Sequence, residues 1–347
     1  MDVTCWRSIQ ASQSASAAWA AGAEVAGAEV AGAEVAGAEV GAVMAALSPP
    51  APPRHYQDTL MPSPILGSMR FGEWGARLSP QAVADLLDAA LDLGIDTLDL
   101  ADIYGGHSTN GLIGAAFSLR PGLRHRLRLI AKIGIRLPGS PGNPRGVQHY
   151  DLSPEHLDVA LDETLRALGV DAIDTLMLHR PDPLLEPREI ADWLRGQIGD
   201  GRAGAFGVSN FDAHQIARFD GLLPVEANQI ELSLAHSAAL EDGTVAATLS
   251  RRGEVQAWSP LGGGGLLDAH SPAGGRLQEP LRAMSAEFGL DPASLLLRWV
   301  ATLPSTRVVL GTARRERLAD ALHACSEPLP RDAWYALWEA ARGHPVP

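Results

Sequence analysis

The chain of 347 residues contains one lysine, Lys132; the rest of its 28 basic side chains are arginine, and they face 41 acidic ones, for a formal net charge of −13. So acidic a balance argues against a nucleic-acid surface or an anionic membrane as partner, and any anionic ligand must meet a local basic cluster. Cysteine is as scarce. Cys5 and Cys325 stand at opposite ends of the chain, which excludes a disulfide framework or a cysteine-based zinc site and points to the reducing cytoplasm. No run of about 18 apolar residues is present, so no membrane span is expected. What the chain has in quantity is apolar residues, 46%, with a mean hydropathy near zero, as in a water-soluble globular protein with an ample core. The lone lysine in an arginine-dominated chain suggests a position that needs a compact, tunable ammonium rather than a planar guanidinium.

Residues 1–58 differ from the rest. Ala21 to Val40 is a fourfold repeat of Ala-Gly-Ala-Glu-Val, followed by the proline-rich Ser48-Pro49-Pro50-Ala51-Pro52-Pro53. A period of five matches neither helix nor strand, and such small residues cannot bury enough apolar surface to offset chain entropy. The first residues lack a signal peptide's apolar core and cleavage site. Residues 1–58 are therefore expected to be a disordered extension, or to precede a later start such as Met61, and residues 59–347 to form a single domain.

From there short apolar runs alternate with helical patterns. Strands are expected at Ser63–Phe71, Ile95–Asp99, Leu127–Ile133, Ile173–Leu178, Gly204–Val208, Glu226–Ile230, Val255–Trp258 and Thr306–Leu310. Helices are expected between them, opened by Ser79-Pro80 and Ser153-Pro154 as cap and first position. They continue through Glu186–Ile198, Asp212–Phe219, Ala238–Arg251, Glu279–Phe288, Pro292–Thr302 and Arg314–Ala324, and Arg331–Ala341 closes the chain. Strict alternation over this length predicts a closed (β/α)8 TIM barrel in the α/β class, whose active site lies at the C-terminal ends of its strands. No Gly-x-Gly-x-x-Gly follows the first strand, which weakens an open dinucleotide-binding sheet.

On the second strand Ile95, Thr97 and Asp99 share a face, so an acid ends an apolar row where the chain enters a glycine turn. Other strand ends carry Lys132, His179, Ser209-Asn210, Gln229, Trp258-Ser259 and Gly311-Thr312. Taken singly, each has an ordinary structural role open to it, such as a turn cap or a core hydrogen-bonder. Their joint occurrence on one face of the barrel is what those roles leave unexplained.

The motifs Asp99-Leu100-Ala101-Asp102-Ile103-Tyr104-Gly105, Ile130-Ala131-Lys132, Leu176-Met177-Leu178-His179-Arg180-Pro181-Asp182, Gly207-Val208-Ser209-Asn210-Phe211, Asn228-Gln229-Ile230-Glu231, Ala257-Trp258-Ser259-Pro260-Leu261-Gly262 and Val309-Leu310-Gly311-Thr312 follow one another in the order found in aldo-keto reductases. From about residue 60 onward the chain resembles that superfamily, in its bacterial oxidoreductase branch. The resemblance implies a catalytic tetrad of Asp99, Tyr104, Lys132 and His179. A tyrosine hydroxyl is a poor acid near neutrality; an ammonium set between Tyr104 and Asp99 would lower its pKa, and His179 would orient the carbonyl oxygen.

The resemblance also implies NADP(H) as hydride source, with NADPH favoured over NADH. The carboxamide would meet Ser209, Asn210 and Gln229, and the ring would stack on Trp258. Ser259 and Leu261 would also bind the cofactor, and the run from Gly262 to Gly265 would let the backbone approach the pyrophosphate. Gly311, Thr312, Arg314 and Arg317 would take the adenylate end and its 2′-phosphate. The implied activity is NADPH-dependent reduction of an aldehyde or ketone to an alcohol, with no metal, in a cytoplasmic monomer or weak oligomer. A catalytically weak nicotinamide-binding sensor on the same fold is the alternative. Two departures stand out: Asn110 where relatives carry glutamate, and Asp320-Ala321 where they often carry glutamate and asparagine. Trp74, His149 and Tyr150 are candidates for the substrate wall.

Overall fold

Every residue of Thr97–Ala101 (β2) is buried, because this strand is paired on both edges and covered on both faces. It lies parallel to Ile65–Gly67 (β1), with Gly67 beside Asp99, and to Arg128–Ile133 (β3), with Ala101 beside Lys132. The computed structural model describes residues 61–140 and 143–346; the extension expected over residues 1–58 lies outside the described residues. After β3 a short antiparallel hairpin, Ile135–Arg136 (β4) with His149–Tyr150 (β5), stands over the barrel end. The remaining barrel strands are Ile173–Leu178 (β6), Ala203–Ser209 (β7), Ala227–Glu231 (β8), Glu254–Trp258 (β9) and Thr306–Leu310 (β10). Their order, β1-β10-β9-β8-β7-β6-β3-β2, closes on itself. The expected (β/α)8 barrel is thus the observed one.

Alternation divides the side chains. Ile65, Ile130, Met177, Ala227 and Val309 point inward and pack as the barrel's own small core, with Trp258 above them. The outward residues join the larger core beneath the helices. Gly207 gives the interior its fit: a Cβ there would sit 3.0 Å from Met177 Cε, so β7 supplies backbone where β6 supplies a long side chain.

The helix signals hold at Ser79 and Ser153, whose hydroxyls accept from Ala82 and His156 N–H at the heads of Pro80–Asp92 and Pro154–Leu168. Two helices depart most from expectation. The helix expected over Ala238–Arg251 is split, because Gly243 takes φ 89° between a 3-10 turn and Thr244–Ser250. The helix expected from Glu279 begins at Pro272; Ser271 caps it, and Gly274 and Gly275 are tolerated because a Cβ on either would meet the Asp268 or Ala269 carbonyl. The closing helix, Arg331–Arg342, is anchored by Trp334 stacked on Trp299 with ring centroids 4.8 Å apart. Each indole N–H donates to the other residue's carbonyl, at 3.0 and 2.9 Å.

Gly114 marks the tightest helix contact. Its helix, Thr109–Leu119, crosses Pro154–Leu168 so closely that a Cβ on Gly114 would stand 2.1 Å from the Ala167 carbonyl oxygen. Gly114→Ala is expected to destabilise the protein by about 1–3 kcal/mol through overpacking, with an unchanged denaturant slope in urea unfolding.

Candidate active site

The barrel's C-terminal mouth gathers the four tetrad candidates. Asp99 comes from the middle of β2, Lys132 from β3 and His179 from the residue after β6, where its backbone N–H donates to Ile133 O at 2.9 Å. Tyr104 is delivered by the chain's turn out of β2, with Gly105 and Gly106 at φ 62° and 64° immediately after it. All four are buried, Lys132 to 1% and Asp99 to 2% exposure.

Lys132 Nζ donates a short hydrogen bond to Asp99 Oδ1. Tyr104 Oη faces the other oxygen, Oδ2, at 3.4 Å, while the ammonium sits 5.3 Å from the tyrosine ring centroid. This reverses one expectation: Asp99, not Lys132, stands between the other two. Burial, then the Asp99 carboxylate, pushes the Tyr104 hydroxyl well above its usual pKa instead of lowering it. Burial pulls the Lys132 ammonium below its ordinary value, and Asp99 acts in the opposite sense. The His179 ring lies edge-on to Tyr104, centroids 6.2 Å apart. Burial, with Lys132 and Arg180 nearby, holds its pKa well below the usual value, so it is neutral near pH 7. Its Nδ1 is enclosed and has no hydrogen-bond partner among the described residues.

A second network adjoins the first. Gln229 Nε2 donates to Asp99 Oδ1 at 2.8 Å and to Gln256 Oε1 at 3.2 Å. Ser209 Oγ donates to Gln229 O at 2.8 Å and accepts from Asn210 Nδ2 at 2.8 Å. Trp258 Nε1 donates to Asn210 Oδ1 at 3.1 Å. The four residues assigned to the nicotinamide thus meet in the structure, with Gln229 reaching the tetrad itself. Asn210 and Ser259 hold φ 60° and 51°, a left-handed backbone that non-glycine residues adopt at a cost and that concentrates at functional sites.

The groups present suit a nicotinamide dinucleotide. Trp258 is half-buried, with the Arg180 guanidinium 5.7 Å from its ring centroid and the Asn210 amide beside it. Beyond Leu261, residues Gly262, Gly263 and Gly264 take φ 57°, 64° and 97°, which only glycine adopts readily. A Cβ on Gly264 or Gly265 would meet nothing within 4 Å, so that backbone is open to approach. Gly311 and Thr312 follow β10, and Thr312 Oγ1 accepts from Arg314 N–H at 3.1 Å. The last barrel helix runs Glu316–Ala324, starting two residues later than expected. Arg314 and Arg317 are exposed.

Sequence reasoning passed over three participants. Gln256, Arg180 and Asp102 lie inside or beside the quoted motifs without an assigned role. Asp102 Oδ1 is enclosed and has no hydrogen-bond partner among the described residues, and burial lifts the carboxyl to about 7 despite backbone N–H groups of Ile103 and Gly134. A carboxyl that keeps its proton longer folded than unfolded loses stability as pH rises between the two pKa values. Asp102→Asn should therefore gain stability relative to wild type by on the order of 4 kcal/mol between about pH 4 and pH 8, measured by urea unfolding across pH. Asn110, the departure from glutamate, is buried to 4% with Oδ1 unpartnered among the described residues; it stands on the helix behind Tyr104 and touches none of the tetrad's hydrogen bonds.

The structure thus gathers a Lys–Asp–Tyr–His cluster at the strand ends of a closed parallel barrel. The family model described as "Aldo/keto reductase family" matches residues 65–342, and the chain belongs to that family. It is 34% identical over 287 residues to the uncharacterized oxidoreductase YcsN of Bacillus subtilis, covering 82% of this chain and 95% of that one. It is 34% identical over 285 residues to a 6-dehydroglucose reductase of Agrobacterium fabrum, covering 81% and 95%. Among solved structures, an aldo/keto reductase from Klebsiella pneumoniae in complex with NADP and acetate shares the fold, with TM-score 0.67, 22% identity and coverage of 83% and 93%. Among the described residues no helix is long and apolar enough to cross a membrane.

Proposed function

We propose that this chain reduces the carbonyl group of an aldehyde or ketone to an alcohol, with NADPH as hydride donor. The observation that carries the reading is the buried unit of Asp99, Lys132 and Tyr104 with a neutral His179, opening beside Trp258 and Asn210. NADPH, when bound, supplies the hydride to the carbonyl carbon. The protein's part is to place that carbon and protonate the oxygen. Tyr104 gives the proton from Oη, since a hydroxyl held protonated by burial is a donor at any physiological pH. His179, being neutral, donates one hydrogen bond to the same oxygen and turns it toward Tyr104. Asp99 keeps the Lys132 ammonium charged, and that charge opposes the negative charge developing at the tyrosine oxygen. The Agrobacterium fabrum relative's name supports a carbonyl substrate here as well.

NADPH consumption followed by its absorbance, against a panel of aldehydes and ketones, tests the reading. Turnover supports it. Tight NADPH binding with no turnover on any carbonyl would identify a nicotinamide-binding sensor instead. We assign the 2′-phosphate to Arg314 and Arg317 because exposed arginines at the head of the last barrel helix suit a dianion. Arg317→Ala is expected to raise the NADPH Kd about tenfold while leaving the NADH Kd within about twofold, as read by quenching of tryptophan fluorescence.

A further inference from the structure

We propose that Arg180 and Glu231 form the part of the pocket that reads hydroxyl groups next to the substrate carbonyl, so that polyhydroxylated aldehydes are preferred over apolar ones. The inference rests on the reductase reading above and deepens it.

Arg180 follows His179 directly, and its guanidinium carbon lies 5.7 Å from the Trp258 ring centroid. Its charge is felt at Tyr104, His179 and Lys132, which places it over the tetrad. An arginine that serves only the fold is normally held by carboxylates or several carbonyls. Arg180 donates to the neighbouring His179 O at 3.3 Å and has the Tyr150 hydroxyl beside it, and it forms no ion pair among the described residues. A guanidinium carries five donors and no acceptor, so most of its donors are unaccounted for by these partners.

Glu231 comes from two positions after Gln229 on β8 and so faces the same mouth. Its side chain is 12% exposed, and its Oε1 is 3.6 Å from His236 Nε2 but accepts no hydrogen bond among the described residues. Burial raises its pKa, and His236 and then Arg180 act against that rise. A donor-only group and an acceptor thus stand at one end of the barrel, and they form no ion pair with each other among the described residues. A monoanionic substrate would be drawn by Arg180 and opposed by Glu231. A hydroxyl both donates and accepts, and a chain of hydroxylated carbons satisfies both groups together. Trp258, and Trp74 packed edge-on to Tyr104 at 6.3 Å, supply apolar faces for the C–H side of such a chain.

The test compares kcat/KM for D-glyceraldehyde and for propanal, which differ in the two hydroxyls, in wild type, Arg180→Met and Glu231→Gln. Wild type should favour glyceraldehyde, and each variant should lower the glyceraldehyde-to-propanal ratio by about 20-fold or more, mainly through KM. Binding of sorbitol to the NADPH-loaded enzyme, read by tryptophan fluorescence, should be lost in Arg180→Met with NADPH binding kept as the control for folding. An unchanged ratio in both variants, or sorbitol binding that survives Arg180→Met, overturns the proposal. A preference for glyoxylate lost in Arg180→Met also overturns it, in favour of an anion site. Absence of turnover on every carbonyl would sink the reductase reading alone, and sorbitol binding would still decide on Arg180.

Discussion

Tyr104→Phe is expected to lower kcat/KM for NADPH-dependent carbonyl reduction by about 10³-fold, with the NADPH Kd unchanged. The substitution removes one oxygen and leaves the ring packed between Trp74 and His179. Among the described residues Tyr104 Oη has one hydrogen-bond partner, Asp99 Oδ2 at 3.4 Å, and Asp99 retains Lys132 and Gln229 when the hydroxyl goes. The fold should therefore tolerate the change, and the loss would fall on kcat with little on KM. Steady-state kinetics, with cofactor binding followed by fluorescence, separate the two. A variant that still turns over at more than about a tenth of the wild-type rate would mean that water or His179 delivers the proton. Neutral His179, held so by burial and by two neighbouring cations, is a poor candidate for that task, because after giving up a proton it would become an anion in a pocket already holding Asp99.

What could be read from the sequence follows from which signals are local. Strands Ile173–Leu178 and Thr306–Leu310 match their expected bounds because each is a short apolar run set off by residues of another kind. The second strand was expected at Ile95–Asp99 and lies at Thr97–Ala101, since its bounds are set by pairing with β3, a long-range register that periodicity does not carry. The tetrad residues could be named because each follows an apolar strand in a family motif. Their electrostatics could not. A positive charge near a tyrosine suggested a lowered pKa, whereas the fold buries the hydroxyl and sets a carboxylate, not the ammonium, against it. Arg180 and Glu231 escaped for a related reason: in the sequence they are two charged residues among 69 (28 basic and 41 acidic), and only the fold shows that, among the described residues, Arg180 forms no ion pair and Glu231 Oε1 accepts no hydrogen bond. Gly243, which breaks the helix expected over Ala238–Arg251, is the one case where a local signal was present and outweighed by the surrounding helical pattern.

Lys132→Met should destabilise the protein by about 3–5 kcal/mol and abolish measurable turnover. The reasoning begins from burial. Lys132 and Asp99 are 1% and 2% exposed, and removal of the cation leaves a carboxylate with no water to solvate it. Gln229 Nε2 remains as a donor to Oδ1, but a neutral amide does not replace the lost positive charge. The double variant Asp99→Asn/Lys132→Met removes both charges and is expected to recover more than about half of the lost stability while recovering no activity. That split separates the two roles of the pair, because folding needs only that neither charge be left alone, whereas proton delivery needs the ammonium itself. Lys132→Arg sharpens the point. It keeps the charge but forces a larger planar group into a fully enclosed site, at an overpacking cost of about 1–3 kcal/mol. Thermal unfolding of the three variants, beside their NADPH-linked rates, would show whether the only lysine in this arginine-rich chain is kept for its charge alone or for its size as well. Stability and activity that both survive in Lys132→Arg would mean that size plays no part.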